Sequence, residues 1–376
     1  MFTDALPRKP VSFDGAVLSK SSAETRLIMD KLNVAVFFGG KSSEYSVSLE
    51  SAYSVIKNLN REKYEPVAVG ISTKGDWFCF QGEIQKIKED TWLNDRDALP
   101  AMLSPGRSEH RLLVFGKEGV SSIPVDAAFP VLHGKNGEDG TIQGLIELAG
   151  IPLVGCSVLA SALCMDKDRA HKLVSLAGVR VPKAGVFRQR SAGEVSAFAR
   201  ELGYPLFVKP VKAGSSYGVT KVQKPEELEG AVWLAFQHDD EVIVEENIEG
   251  FEVGCAVLGN VDLMTGEVDE IELSGGFFDF TEKYTLKTSA IYVPARIDEK
   301  KAQEIKRTAK VIYSALGCRG FARVDMFLTP EGEVVFNEVN TIPGFTEHSR
   351  YPGMMKAAGY SFQEVLDKIM ALALYR

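Results

Sequence analysis

The chain has 376 residues, 45% of them hydrophobic and 25% charged, which is the composition of an ordinary globular protein with length for two or three domains. Its 43 Lys and Arg against 51 Asp and Glu leave a net charge of −8, so no global basic field draws nucleic acid. No apolar run approaches the ~20 residues of a membrane helix. The five cysteines (79, 156, 164, 255 and 318) are odd in number and lack CxxC or metal-ligand spacing. They read as buried, reduced thiols of a cytoplasmic protein.

Residues 1–31 carry Pro7, Pro10 and scattered charges without a secretory apolar run, and read as a tail. From 32 to 155, apolar runs alternate with helical patterns, as in a parallel α/β layer. NVAVFF predicts a buried strand entering Gly39-Gly40, and 47–59 a helix. YEPVAVGI, WFCF, RLLVF and VDAAFPVLH are further strands, TIQGLIELAG a helix, and IPLVG a short strand. A helix is predicted over 161–177, and a boundary near 155–166 opens a second domain, 156–240. There YPLFVKP and GVTKV form a strand pair, followed by a helix over 226–237 and the strand EVIVEE. A hinge near 240 begins a C-terminal lobe, 241–376.

The most informative segment is FARVDMFLTPEGEVVFNEVN, two strands joined by Thr329-Pro330-Glu331-Gly332. Alternation puts Arg323 and Asp325 on one face, and Glu338 and Asn340 on one face. A four-residue turn would set Arg323 opposite Glu338, with Ala322, Val324, Met326, Val335 and Val339 forming the apolar face. Two carboxylates and an amide oxygen suit Mg²⁺, which binds one or two carboxylates plus substrate phosphates. A surface ion-pair ladder is the competing reading.

Other motifs also admit two readings. In FVKPVKAGSSYGVTKV, Lys209 and the loop of Gly214, Ser215 and Ser216 could cradle phosphate, or could be a hairpin tip. In VIVEENIEGFE, the backbone around Ile248, with Glu245 and Glu252, could meet a nucleoside, or could be a solvated strand end. Glu44 in GGKSSE is either a ligand or a helix cap. His133 in HGKNGEDG stands at a strand's carboxyl end, where open α/β sheets bind ligands, or in a turn capped by Asp139. Segment 274–289, with Lys283 and Tyr284, reads as a lid or as a loop packed by its own aromatics.

HGKNGEDG, MDKDRAHK, FVKPVKAGSSYG, VIVEENIEGFE, FFDFTEKY, GFARVDMF and NEVNTIPGFTEHSRYP follow one another as in the D-alanine–D-alanine ligase family. The resemblance covers about residues 33–372. It implies an α/β ATP-grasp fold with α+β lobes, preceded by a parallel α/β domain. It also implies an ATP-dependent reaction in which the carboxylate of one D-alanine is phosphorylated and then attacked by the amine of a second substrate. On this resemblance Asp325, Glu338 and Asn340 match the ligands of two Mg²⁺ ions, for which Mn²⁺ can substitute. Lys167, Lys209 and the loop 214–216 match ATP-phosphate contacts, and Glu245, Ile248 and Glu252 the nucleoside site. Glu44 matches the contact to the first ammonium, with His133 nearby. Arg323 and the Gly344 N–H match the oxyanion stabilisers, and Ser349 the second carboxylate contact. Ser215 and Tyr284 match a network from Glu44 to the lid.

The SRYP-MM pattern with Arg350, together with the retained EKY and FFDF, resembles the G-type vancomycin-resistance D-alanine–D-serine ligases. D-serine is therefore the expected second substrate, with Arg350 and Lys283 in its subsite, and a second D-alanine is the alternative. Arg350 paired with a nearby acid is the bland reading of that residue. Members of the family are homodimers, which is the expectation here.

Overall fold

The computed structural model describes residues 31–188, 192–214, 217–273 and 289–375. Segment 1–30, Ser215, Ser216, Lys283 and Tyr284 lie outside the described residues, as does the predicted lid apart from Ser289.

Three sheets follow one another along the chain. The first has seven strands: β1 (Leu32–Gly39), β2 (Tyr64–Ile71), β3 (Trp77–Phe80), β4 (Ala98–Leu103), β5 (Arg111–Gly116), β6 (Gly119–Pro124) and β7 (Ala127–Pro130), in the order β6-β5-β4-β3-β2-β1-β7. Only β1 pairs in parallel, with β2 and with β7. The pairs β2-β3, β3-β4, β4-β5 and β5-β6 are antiparallel, so the expected parallel layer is confined to three strands at one end of the sheet, β2, β1 and β7. The reason lies in the connections: Ser72–Asp76 and Lys117–Glu118 are short turns, and tight turns join only antiparallel neighbours. In β1, residues 34–38 are wholly buried because apolar clusters cover both faces of the strand.

The second sheet is antiparallel, ordered β10 (Thr220–Val222), β9 (Leu206–Pro210), β11 (Val242–Glu246), β8 (Ala184–Phe187). The third runs β14 (Ser289–Tyr292), β13 (Met264–Leu273), β12 (Phe251–Leu258), β15 (Phe321–Leu328), β16 (Val334–Asn340). Helix Glu299–Ala315 packs Ile305, Ala309 and Ile312 on one face of that sheet with β12 and β15. On its other face, Phe321 meets Phe129, Phe345 and Tyr351 with ring centroids 6.0, 5.6 and 5.6 Å away. This aromatic cluster joins the first sheet to the third within one core, where edge-on ring pairs add to burial.

Two local expectations are corrected. The single helix over 161–177 is two helices, Val158–Met165 and Lys167–Leu176, broken at Asp166. Asp166 takes an extended conformation there, and its Oδ1 accepts the Arg169 N–H at 2.9 Å, so the side chain caps a new helix rather than continuing the old one. IPLVG forms no strand; its Leu153 makes an isolated parallel bridge to Ala128. Among the described residues no helix is long and apolar enough to cross a membrane.

Candidate active site

The β15–β16 hairpin carries the centre of the site, in a register different from the expected one. Thr329 N donates to Glu333 O at 3.0 Å, leaving a three-residue loop with Gly332 at φ +84°. Farther along, a bulge between Asp325 and Met326 shifts the pairing again, so Asp325 lies opposite Glu338 and Arg323 opposite Asn340. The extra residue also reverses the alternation of β16. Phe336 and Val339 both join the apolar cluster with Val324 and Met326, while Val335, predicted on that face, pairs with Phe327 instead. Arg323, Asp325, Glu338 and Asn340 stay together and line one cavity of about 500 Å³.

Asp325 is 1% exposed and is gripped from three directions. Arg323 donates from Nε to both of its oxygens at 2.8 and 3.0 Å, and from Nη2 to Oδ2 at 2.7 Å. Asn340 Nδ2 donates to Oδ2 at 2.8 Å, and Arg350 Nη2 lies 3.3 Å from Oδ1. Burial works against the charge on Arg323, but Asp325 overrides it and holds the guanidinium's pKa above the usual value. Arg350 behaves likewise: burial opposes its charge, and Asp269 and Asp325 more than compensate. Its Nε and Nη2 donate to Asp269 at 2.6 and 2.8 Å, and its Nη1 donates to Glu252 at 2.8 Å. The acid-paired reading of Arg350 therefore describes its position, at the wall of the cavity.

The donor set fits a hard cation. Asp325 and Glu338 are directly opposed, and Asn340 commits its amide nitrogen to Asp325, which leaves Oδ1 as the oxygen to offer a metal. Among the described residues no three of His, Cys, Asp and Glu form a ready metal cluster, so a cation here would need the amide oxygen and oxygens of a bound substrate as well.

Glu44 stands at the N-cap of helix Tyr45–Asn58 without making a side-chain cap bond. Its carboxylate packs against two backbones: a Cβ on Gly134 would come within 2.6 Å of Oε2, and one on Gly214 within 3.4 Å. At Gly134, where φ is +71°, the absence of a side chain is what lets the loop close on Glu44, while Gly214 approaches to ordinary contact distance. His133 is 4% exposed, and both ring nitrogens are engaged, Nδ1 with Ile342 O at 2.8 Å and Nε2 with Ser51 Oγ at 3.1 Å. Burial lowers its pKa and keeps the ring neutral. In the same loop Asp139 does cap, accepting from Asn136 N at 2.8 Å and Thr141 N at 3.0 Å.

Gly344 and Ser349 line the cavity, and a Cβ on Gly344 would lie 3.0 Å from Ser349 Oγ. Ser349 Oγ in turn accepts from Thr346 N at 3.0 Å. Lys167, also in the lining, donates to Ala213 O at 2.7 Å, which ties the helix start to the loop before Gly214. Lys209, Glu245 and Ile248 lie outside that lining. Lys209 on β9 pairs with Glu245 on β11, whose Oε2 is buried without a partner. An orphaned buried acceptor of this kind suits an amino group such as that of a nucleobase.

Three participants escaped the sequence reading. Glu138 was visible as the acid of HGKNGEDG but was overshadowed by His133. Asp269 sits in VDEIEL beside two further acids and within no motif, yet it is fully buried. Ser51 looks like one more small residue in a helix.

The comparisons with known proteins follow the same lines. Residues 33–156 match the model of the D-ala D-ala ligase N-terminus, and 173–371 that of the C-terminus. The vancomycin B-type resistance protein VanB of Enterococcus faecalis is 46% identical over 93% of this chain and 100% of its own. A D-alanine--D-alanine ligase of Caldicellulosiruptor bescii is 41% identical over 92% and 96%. The crystal structure of VanG D-Ala:D-Ser ligase from Enterococcus faecalis superposes with a TM-score of 0.85 at 57% identity, covering 91% of this chain and 99% of that one. The fold is that of the ATP-grasp ligases, and the chain belongs to the D-alanine–D-alanine ligase family.

Proposed function

We propose that the protein is an ADP-forming ligase that joins D-alanine to D-serine in the cytoplasm through a D-alanyl phosphate. The observation that carries the reading is the convergence of Glu44, Arg323, Asp325, Glu338, Asn340 and Gly344 on a single cavity. Glu44 would hold the ammonium of the first D-alanine and so direct its carboxylate toward the hairpin. Asp325, Glu338 and Asn340 would hold Mg²⁺, which supplies charge neutralisation to the transferring phosphoryl group. Lys167 and Lys209 add positive charge on the ATP side. When the second amine attacks the acyl carbon, negative charge builds on its oxygen. Arg323 and the Gly344 N–H would stabilise that charge, and phosphate leaves.

For the second substrate, the 57% identity to VanG D-Ala:D-Ser ligase favours D-serine. A polar wall supports the same choice: Arg350, locked by Asp269, stands beside Ser349. A site built to hydrogen-bond a hydroxyl penalises a substrate that lacks one. The second reading, D-alanine in that subsite, rests on the 41% identity to a D-alanine--D-alanine ligase. Incubation with Mg-ATP, D-alanine and D-serine in competition, read by mass spectrometry, decides between them. D-Alanyl-D-serine as the main dipeptide supports the proposal, and D-alanyl-D-alanine as the main dipeptide overturns it. No dipeptide and no D-alanine-dependent ADP would reject the ligase reading altogether.

A further inference from the structure

Residues 342–345 carry the Gly344 N–H, yet they follow β16 as irregular chain and have no ladder to hold them. Their backbone is instead bonded by side chains from the first sheet's end of the molecule. Ile342 N donates to Glu138 Oε1 at 3.1 Å, and Ile342 O meets His133 Nδ1 at 2.8 Å. Phe345 N donates to Ser51 Oγ at 3.2 Å. Ser51 Oγ is also 3.1 Å from His133 Nε2, and Glu138 Oε2 accepts the Gly134 N–H at 2.9 Å.

The donors and acceptors of this set can be assigned without conflict. Phe345 N–H donates to Ser51, the Ser51 hydroxyl donates to His133 Nε2, His133 Nδ1–H donates to Ile342 O, and Ile342 N–H donates to Glu138. The tautomer follows from those partners, and the neutral ring agrees with the histidine's burial. The chain therefore grips the segment on both sides of Gly344. Glu138 also ties it to Gly134, against which Glu44 packs.

We propose that Ser51, His133 and Glu138 are positioning residues that fix the distance between the first-substrate carboxylate Glu44 and the Gly344 N–H. Displacing a donor by about 1 Å can cost on the order of 10²-fold in rate, and irregular chain between two sheets is where such displacement is easiest. Two N–H donors favour a carboxylate at Glu138, whereas burial and Glu44 push its pKa up to about 8. An ammonium bound beside Glu44 would favour the carboxylate form, so substrate entry and tightening of the brace act in the same direction. The other groups facing Glu138 are Arg323, which favours ionisation, and the thiols of Cys156 and Cys164.

The inference rests on the ligase reading, and the test separates the two. ATP labelled with ¹⁸O at the β,γ-bridge scrambles its label when D-alanyl phosphate forms reversibly, a step that builds no oxyanion at carbon. In Glu138→Gln and Ser51→Ala, net ADP formation should fall on the order of 10²-fold. Label scrambling should fall much less, so the ratio of exchange to turnover rises, with the KM for ATP unchanged. An unchanged ratio in a folded variant overturns the proposal, whether turnover is kept or lost. Should Glu138→Gln not fold, Ser51→Ala alone, which deletes one hydroxyl, decides by the same ratio. Absence of D-alanine-dependent scrambling in the unsubstituted protein would instead reject the ligase reading.

Discussion

Arg350 and Asp269 are joined by two hydrogen bonds, Nε to Oδ2 at 2.6 Å and Nη2 to Oδ1 at 2.8 Å, with Asp269 wholly buried. The pair occupies space that a glycine provides: a Cβ on Gly254 would come within 2.6 Å of Asp269 Oδ1 and would also collide with Arg350 Nη2. Helix Arg350–Ala357, β12 and β13 are thus locked by one ion pair threaded past a missing side chain.

Removing Asp269 takes two hydrogen bonds from a buried guanidinium that Glu252 and Asp325 still face. Asp269→Ala should therefore destabilise the fold by about 3 kcal/mol, the low end for a broken buried pair, measured by denaturant unfolding. Gly254→Ala should lower stability as well, because the new methyl displaces the Arg350–Asp269 contact rather than filling space. A variant at either position with unchanged stability would show that the pair is not held as described.

The metal set gives a second expectation. Asn340 orients Asp325 through its amide nitrogen while presenting Oδ1, so Asn340→Ala removes a proposed ligand and a support for its neighbour in one step. D-Alanine-dependent phosphate release should drop at least about 10-fold, with a raised requirement for Mg²⁺. Unchanged release at low Mg²⁺ would remove Asn340 from the metal site.

How much of this was legible in the sequence depends on what sets each feature. The strand NVAVFF follows from its continuous apolar run, and the apolar and polar faces of the hairpin's first strand, 321–328, follow from local alternation. The register did not, because a three-residue loop and a bulge at Asn337 each move the pairing by one, and neither leaves a period in the letters. The helix break at Asp166 was legible only as capping chemistry, competing with an uninterrupted helical pattern. Asp269 and Ser51 owe their roles to contacts more than 80 residues away in sequence, with Arg350 and His133. Composition and periodicity carry no information at that separation, whereas an ordered set of motifs pointed to the family directly.

Glu138 supplies a pH prediction with a definite sign. Burial, reinforced by Glu44, raises its pKa from an ordinary 4.5 to about 8 in the folded protein. Between those values the folded state holds a proton that the unfolded state has released. Its contribution to stability is complete below about 4.5 and is lost as pH rises toward about 8. Unfolding free energy should fall with pH across that window in the substrate-free protein, and Glu138→Gln should flatten the fall. An equal slope in both proteins would place the proton elsewhere.

The thiols give the last prediction. All five cysteines are buried, and Cys164 Sγ lies 3.6 Å from Cys318 Sγ against the wall of the cavity. Proximity alone would suggest a reactive pair, but reactivity belongs to the thiolate, and burial disfavours it. Burial pushes Cys79 up to about 11 and Cys255 up to about 12, while hydrogen bonding to Cys318 together with burial raises Cys156 further. Iodoacetamide at neutral pH should therefore label essentially none of the five in the native protein and all five in denaturant. Rapid native labelling of Cys164 would show that the cavity opens to it far more than this packing allows.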